Sequence, residues 1–331
     1  MERIQDKIYH CDTPGDILLL DRKDISHQKR EKIRELQELN YWYNLKIVFF
    51  MGLWIAAGYL LLYTNFLFLD LALYFLIACA MVGMPIIMHE SNHNLLFKNR
   101  FLNRWVGFFC GLPGLVSVTA YRTVHLAHHA NTGTEDDPDN MDNSVPKSVS
   151  MVLFFYLFLV LGAYLYIFHV GVEGYKIGNS NKRKKIVVEY LLILGIYGLV
   201  FWFIPFYYIL HLWLIPLIIG VQLTNVRGLA EHGLITKNNV FTETRCVESN
   251  AFVSFMMCNL NYHLDHHLFP GVPWYNLPKL HKLLEDEYIA AGFSVYSSYT
   301  QFLVDFFKTT WSGYIPDFRM IPEHMKDHAC G

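Results

Sequence analysis

Three short histidine groups carry the chemistry in this sequence. They are His89-Glu-Ser-Asn-His93, His125-Leu-Ala-His128-His129 and His263-Leu-Asp-His266-His267. On a helix, residues three or four apart share a face, so each group converges its imidazoles. Neutral imidazole is a good ligand for iron, zinc and copper. A ninth candidate, His232, stands alone in Arg-Gly-Leu-Ala-Glu-His-Gly. Eight or nine such ligands exceed what one ion accepts, whereas four or five per ion suits two. A lone histidine at a membrane edge is ordinarily a satisfied interfacial residue. That reading is kept for His10, His27, His169, His211, His281, His324 and His328.

The first group also reads as H-E-x-x-H, the zinc metalloprotease pattern with Glu as general base. A protease site needs one further ligand and an open position for water, and it leaves the other two groups without a purpose. A ligating imidazole usually gives its remaining N–H to a carboxylate or carbonyl, which fixes its tautomer. Glu90, Glu231, Asp265 and the acidic run containing Asp136, Asp137 and Asp139 are candidates for that task. The run reads equally well as a solvated turn. Asn131 and Asn261 are candidates to orient ligands or water.

The elements that must position these groups are apolar. Of 331 residues, 53% are hydrophobic and only 17% charged, against about 25% charged in soluble domains. The net charge of −2 gives no basis for nucleic-acid binding. Six scattered cysteines without a C-x-x-C pair argue against a disulfide framework, and the polar N-terminus shows no cleavable signal peptide. A spanning helix needs about 20 apolar residues. The stretch without Lys or Arg between Ile47 and Phe97 holds two, near 45–63 and 71–88. A second hairpin is expected near 186–204 and 206–223, divided at Pro205. The basic arm before residue 45 places the N-terminus in the cytosol.

Residues 104–120, short and broken by Gly and Pro, suit an interfacial or half-buried segment. The apolar run 149–172 is long enough to span, but parity argues otherwise. The histidine groups on either side of it can share a site only if an even number of crossings separates them. It is therefore expected to lie embedded in or along the membrane. Amphipathic helices are expected at Ile25–Leu39, exposed, and near Leu277–Tyr288. The fold class is thus an all-α integral membrane protein, with two transmembrane hairpins and a cytosolic cap carrying the histidine site. Its parts are a cytosolic arm (1–44), a catalytic domain (45–290) and a cytosolic tail (291–331).

The set H-E-S-N-H, H-L-A-H-H and N-Y-H-L-D-H-H-L-F-P-G-V-P-W-Y-N-L-P-K-L-H resembles the membrane fatty acid desaturases and their hydroxylase relatives over roughly 45–290. It looks most like the bacterial acyl-lipid branch, which would put the protein in a bacterial cell membrane. The resemblance implies a non-haem di-iron centre, four spanning helices, a cytosolic cap and a hydrocarbon tunnel beside the metals. It carries the family's metal ligands onto His89, His93, His125, His128, His129, His232, His263, His266 and His267. In some relatives an Asn one turn before the separate ligand helps hold a metal-bound water; here that position is Gly228.

A saturated methylene has no acidic proton and no dipole, so acid–base groups cannot attack it. Dioxygen activated at iron can, with the protein positioning the carbon. Loss of a second hydrogen gives an alkene, and return of the oxygen gives an alcohol, so desaturase and hydroxylase remain alternatives. The substrate is expected to be an acyl-lipid or fatty acyl chain. A metal carrier would place histidines inside spans and on both faces, whereas these groups lie at the ends of apolar runs. No G-x-G-x-x-G, iron–sulfur cysteine set or His-Pro-Gly-Gly signature is present. Electrons are therefore expected from a separate ferredoxin or b-type cytochrome with its reductase. Candidate docking residues are Lys182, Arg183, Lys184 and Lys185, which serve equally to fix topology.

Overall fold

The computed structural model describes residues 21–312, except 133, 140–148, 234–239, 292 and 294. Helix α1 (His27–Leu36) starts at Ser26, whose hydroxyl oxygen accepts from Lys29 N. Two long helices follow, α2 (Leu45–Leu61) and α3 (Leu67–Asn92). Helices α4 (Arg100–Gly111) and α5 (Val118–Asn131) meet at 97° across a turn at Leu112–Gly114. Then come α6 (Val149–Ile177), α7 (Ser180–Phe203) and α8 (Phe206–His232), the last with a π-helical turn at Leu210–Leu214. The remainder is short: β1 (Cys246–Val247), α9 (Ala251–Met256), α10 (His263–Leu268), α11 (Leu277–Leu283), α12 (Glu285–Ala291), β2 (Val295–Tyr296) and α13 (Tyr299–Ser312).

Among the described residues, five helices are long and apolar enough to cross a membrane: α2 (from Tyr41), α3, α6 (from Tyr156), α7 and α8. Outward-facing side chains such as Phe68, Trp202 and Phe203, each at least 72% exposed, make an apolar surface of the kind that marks a membrane or protein contact. Helix α3 is the central one, packed between α2, α4 and α8. The chain is mostly helical, as expected of a membrane protein of this composition.

Several expectations are refined. Helices α3 and α8 run past the apolar stretches near 71–88 and 206–223, to Asn92 and His232. Their polar ends, including His89, Glu90 and Glu231, are buried in protein, so nothing there stops the helix. The 104–120 segment becomes the bent α4–α5 pair, with Pro113 in the turn and Leu115 left-handed at φ 58°. Helix α1 is shorter than Ile25–Leu39 and docked: Ile25 and Ile33 are buried, and Lys29 Nζ pairs with Asp286 at 3.2 Å and Glu287 at 2.7 Å. The amphipathic stretch near 277–288 is split at Leu284 into α11 and α12. A two-residue parallel pairing, Cys246 with Val295 and Val247 with Tyr296, was not foreseen. It ties the 295–308 segment to the body, where Phe302 and Phe306 are also buried.

Candidate metal centre

All nine expected histidines come together in two adjoining sets. The first set is His89 and His93 from α3, His125 and His129 from α5, and His266 from α10, with ligand atoms within 4.8 Å of one another. Within it, Nε2 of His125 lies 2.8 Å from that of His93 and 3.0 Å from that of His129, which lies 3.1 Å from Nε2 of His266. The second set is His128 from α5, His232 from the end of α8, and His263 and His267 from α10. Its Nε2 of His263 lies 2.7 Å from that of His232 and 3.1 Å from that of His267.

The split follows from helix geometry. Neighbouring residues on an α-helix point about 100° apart, so the paired histidines that end each H-x-x-H-H cannot face the same ion. In α5, residues 125 and 129 serve one set and 128 the other. In α10, residues 263 and 267 serve one set and 266 the other. Each H-x-x-H-H motif thereby contributes to both sets, whereas His89 and His93 serve the first alone.

The donor set fits metal ions better than it fits itself. One imidazole pair can share a single proton, yet Nε2 of His125 and of His129 each faces two others. The buried Nε2 of His89 has no hydrogen-bond partner among the described residues. Nitrogens at right angles around one ion, each about 2.1 Å away, stand about 3.0 Å apart, matching the observed spacings. Burial holds the His93 pKa down to about 3, aided by the charge of Arg122. Burial and neighbouring rings likewise keep His263, His266 and His267 well below the ordinary value. These rings are neutral at pH 7, with a lone pair to give.

Three of the expected carboxylates stand behind ligand rings. His128 Nδ1 lies 2.8 Å from Asp137 Oδ1, His89 Nδ1 3.3 Å from Glu90 Oε1, and His263 Nδ1 3.4 Å from Glu231 Oε2. At His128 the contact is a hydrogen bond that engages Nδ1 and turns Nε2 inward; at His89 and His263 the carboxylates lie close without hydrogen-bond geometry. Glu90 also accepts from Trp274 N at 3.1 Å, tying the V-P-W-Y stretch to the first histidine group. The other four expectations are corrected. Asp136 is exposed, while its neighbours Asp137 and Asp139 face the cavity beside His128. Asp139 instead accepts from Tyr166 OH at 2.9 Å. Asn261 donates to Val247 O at 2.9 Å, fixing β1 rather than a ligand. Asp265 points away from both sets, since its helix position lies opposite the ligand face. It contacts His281 Nδ1 at 2.8 Å, and Tyr288 OH donates to it.

Among the set-aside histidines, His211 contacts Tyr74, His169 lies 2.9 Å from Pro138 O, and His27 lies 3.8 Å from Glu31. His10, His324 and His328 lie outside the described residues. His281 matters more than its isolation in sequence suggested, because with Cys246, Asp265 and Tyr288 it anchors the back of α10. Glu189 was also overlooked. It is the sole acidic residue between Lys185 and Glu231, and an ionisable group in an apolar helix is paired or functional by default. Its buried carboxylate accepts from Arg104 Nη2 (2.7 Å), Ser117 Oγ (2.6 Å), Thr119 N (2.9 Å) and Thr119 Oγ1 (2.7 Å). That network fixes the start of α5 and hence the second histidine group. Arg245, fully buried, donates to Ala230 O and Gly233 O at the end of α8, complementing the helix C-terminus beside His232. Arg183 donates to Tyr175 O and Lys176 O, so it caps α6 whatever else it does.

Comparison with known proteins agrees with this geometry. Residues 64–299 match the profile of the family described as fatty acid desaturase. The sphingolipid delta(4)-desaturase of Gallus gallus is 24% identical, with 86% of this chain and 87% of that protein aligned. That of Schizosaccharomyces pombe is 25% identical over 80% of this chain and 74% of its own length. A mouse sphingolipid delta(4)-desaturase/C4-monooxygenase is 25% identical over 63% of this chain and 64% of its own length.

Proposed function

The chain belongs to the fatty acid desaturase family, a family of oxidoreductases, and from that premise we propose that it uses two irons and dioxygen to introduce a double bond into a lipid hydrocarbon chain. The observation that carries this reading is the division of nine histidines into sets of five and four, each contributed to by three helices or helix ends. Two irons held there would supply the oxidation of an unactivated methylene. The chain's own residues hold and orient: Glu90, Asp137 and Glu231 fix their histidines, Glu189 sets α5, and Asp265 sets α10. The catalytic domain is 45–290, flanked by a cytosolic arm (1–44) and tail (291–331).

We read four of the five candidate helices as spans, with α6 lying along the membrane. Helices α3 and α8 reach the histidines with their C-terminal ends, at His89 and His232. Helix α6 meets the same level at its middle, through Ala163 and Tyr166. A helix crossing the same slab would be level with the site at one end. Both termini and the metal site are then cytosolic.

The substrate is an acyl-lipid or a sphingoid lipid; the latter draws support from the relatives named above. Hydroxylation is the second reading, favoured by the C4-monooxygenase in the name of the mouse relative. Expression in a host, with mass spectra of its lipids, tests both. A loss of two hydrogens supports desaturation, and a gain of one oxygen without a new double bond supports hydroxylation. Purified protein holding one zinc and no iron would defeat the site assignment.

A further inference from the structure

Forming a double bond while dioxygen leaves as two waters takes two hydrogens from the lipid, two electrons from a carrier and two protons from solvent. Those protons must cross protein, because most of the ligand rings are buried. The other carboxylates around the histidines are already committed. Glu90 accepts from Trp274 N, Glu231 from Arg227 Nε at 2.7 Å and Asp265 from Tyr288 OH, while Asp137 lies against His128.

Asp139 stands apart. It is half-buried, in a turn whose members Glu135 and Asp136 are exposed. It therefore meets the surface on one side and a cavity of about 160 Å³ beside His128 on the other. Its backbone N donates to Asp137 Oδ1 at 2.9 Å, which fixes the turn against the second histidine set. Its carboxylate accepts at 2.9 Å from the hydroxyl of Tyr166, which lines the same cavity from α6. Tyr121, on the inner wall, meets Tyr166 edge-on at 6.4 Å and stacks on His125 with centroids 5.3 Å apart. The cavity thus runs from the Asp139–Tyr166 pair to both histidine sets. About 15 Å³ of such space admits one water, so there is room for several to continue the hydrogen-bonded chain inward.

We propose that Asp139 and Tyr166 form the path by which protons pass from the aqueous surface into the cavity, and so to dioxygen at the histidine sets. This rests on the desaturase reading, which sets the demand for two protons per turnover. Solvent protonates Asp139, and the proton passes to the Tyr166 oxygen as that phenol releases its own inward. A hydroxyl both donates and accepts, so each group ends as it began. The same pair pins the acidic turn to α6, but a pin alone would not respond to added acid or to heavy water.

The test uses the full iron-loaded chain with lipid, dioxygen, a reductase and a small electron carrier. Asp139→Asn and Tyr166→Phe should keep wild-type metal content and lower lipid oxidation on the order of a hundredfold. Exposed Asp136→Asn should match wild type. Asp139→Ala should lose as much as Asp139→Asn and recover in added formate, a small acid that replaces the missing carboxyl. The slowing caused by heavy water should deepen in Asp139→Asn and Tyr166→Phe, as proton arrival becomes limiting. In infrared spectra of resting protein, the carboxyl band lost in Asp139→Asn should shift in Tyr166→Phe. Unchanged turnover in both variants, or turnover that falls only as metal is lost, would overturn the path. A loss that formate does not restore and heavy water does not deepen would reduce the pair to a pin and overturn it too. Wild type that oxidises no lipid with iron, carrier and dioxygen supplied would instead overturn the desaturase reading, and the path with it.

Discussion

Replacing Glu189 by leucine is the most informative single perturbation, because one buried carboxylate serves four donors on two elements. Arg104 is 37% exposed, so its guanidinium can turn toward water when the partner is lost. Ser117 and the Thr119 amide and hydroxyl cannot, being buried at the start of α5. Each buried donor left without a partner costs about 1–3 kcal/mol. Since the contacts share one acceptor, they do not simply add, and we expect a loss on the order of 2–5 kcal/mol. Glu189→Gln keeps the shape and one acceptor oxygen, and should lose about half as much. The consequence reaches the site because α5 starts at these residues and carries His125, His128 and His129. Detergent-solubilised variants would be assayed for metal per chain and for thermal unfolding. Metal content should fall in the order wild type, Gln, Leu, with unfolding temperature following. A leucine variant with full metal content and an unchanged unfolding temperature would refute the claim that Glu189 positions the second histidine group.

Three further outcomes are expected. Burial alone would lower the His281 pKa, but Asp265 more than offsets it and raises the value above 6.5. The stabilisation from that pair is complete below about pH 6.5 and is lost as pH rises through the raised value. Denaturant titrations should show that slope in wild type and not in Asp265→Asn. At Gly174, an added Cβ would sit 2.8–3.1 Å from backbone atoms of Ala120, so Gly174→Ala should force α6 off α5 and cost about 1–3 kcal/mol, read by unfolding. Finally, purified enzyme given lipid, dioxygen and NADPH should stay inert until a reductase and small electron carrier are added, as measured by oxygen uptake. Sustained turnover without a carrier would reveal a built-in electron source.

Much of this protein was legible from residue type and local spacing. An i, i+4 histidine pair faces one way in any helix, so the three groups mark a candidate metal site before any fold is known. The long helices α2, α3, α7 and α8 follow from apolar length, because bilayer thickness sets a local requirement on each stretch. His232 was identifiable through the family resemblance and the need for another ligand.

What only tertiary structure decided is how separate stretches meet. The division of His125, His128 and His129 between two sets depends on where α3, α8 and α10 deliver their own ligands. Of the six carboxylates expected behind the histidines, only Glu90, Asp137 and Glu231 stand beside a ring of the two sets. Sequence proximity to a ligand places a carboxylate near the helix but does not choose its face, so Asp265 anchors α10 from behind instead. The partners that make Glu189 and Asp139 matter lie 27 to 85 residues away. No local pattern encodes such contacts, because they arise when packing brings a buried polar group against whatever backbone or side chain can satisfy it.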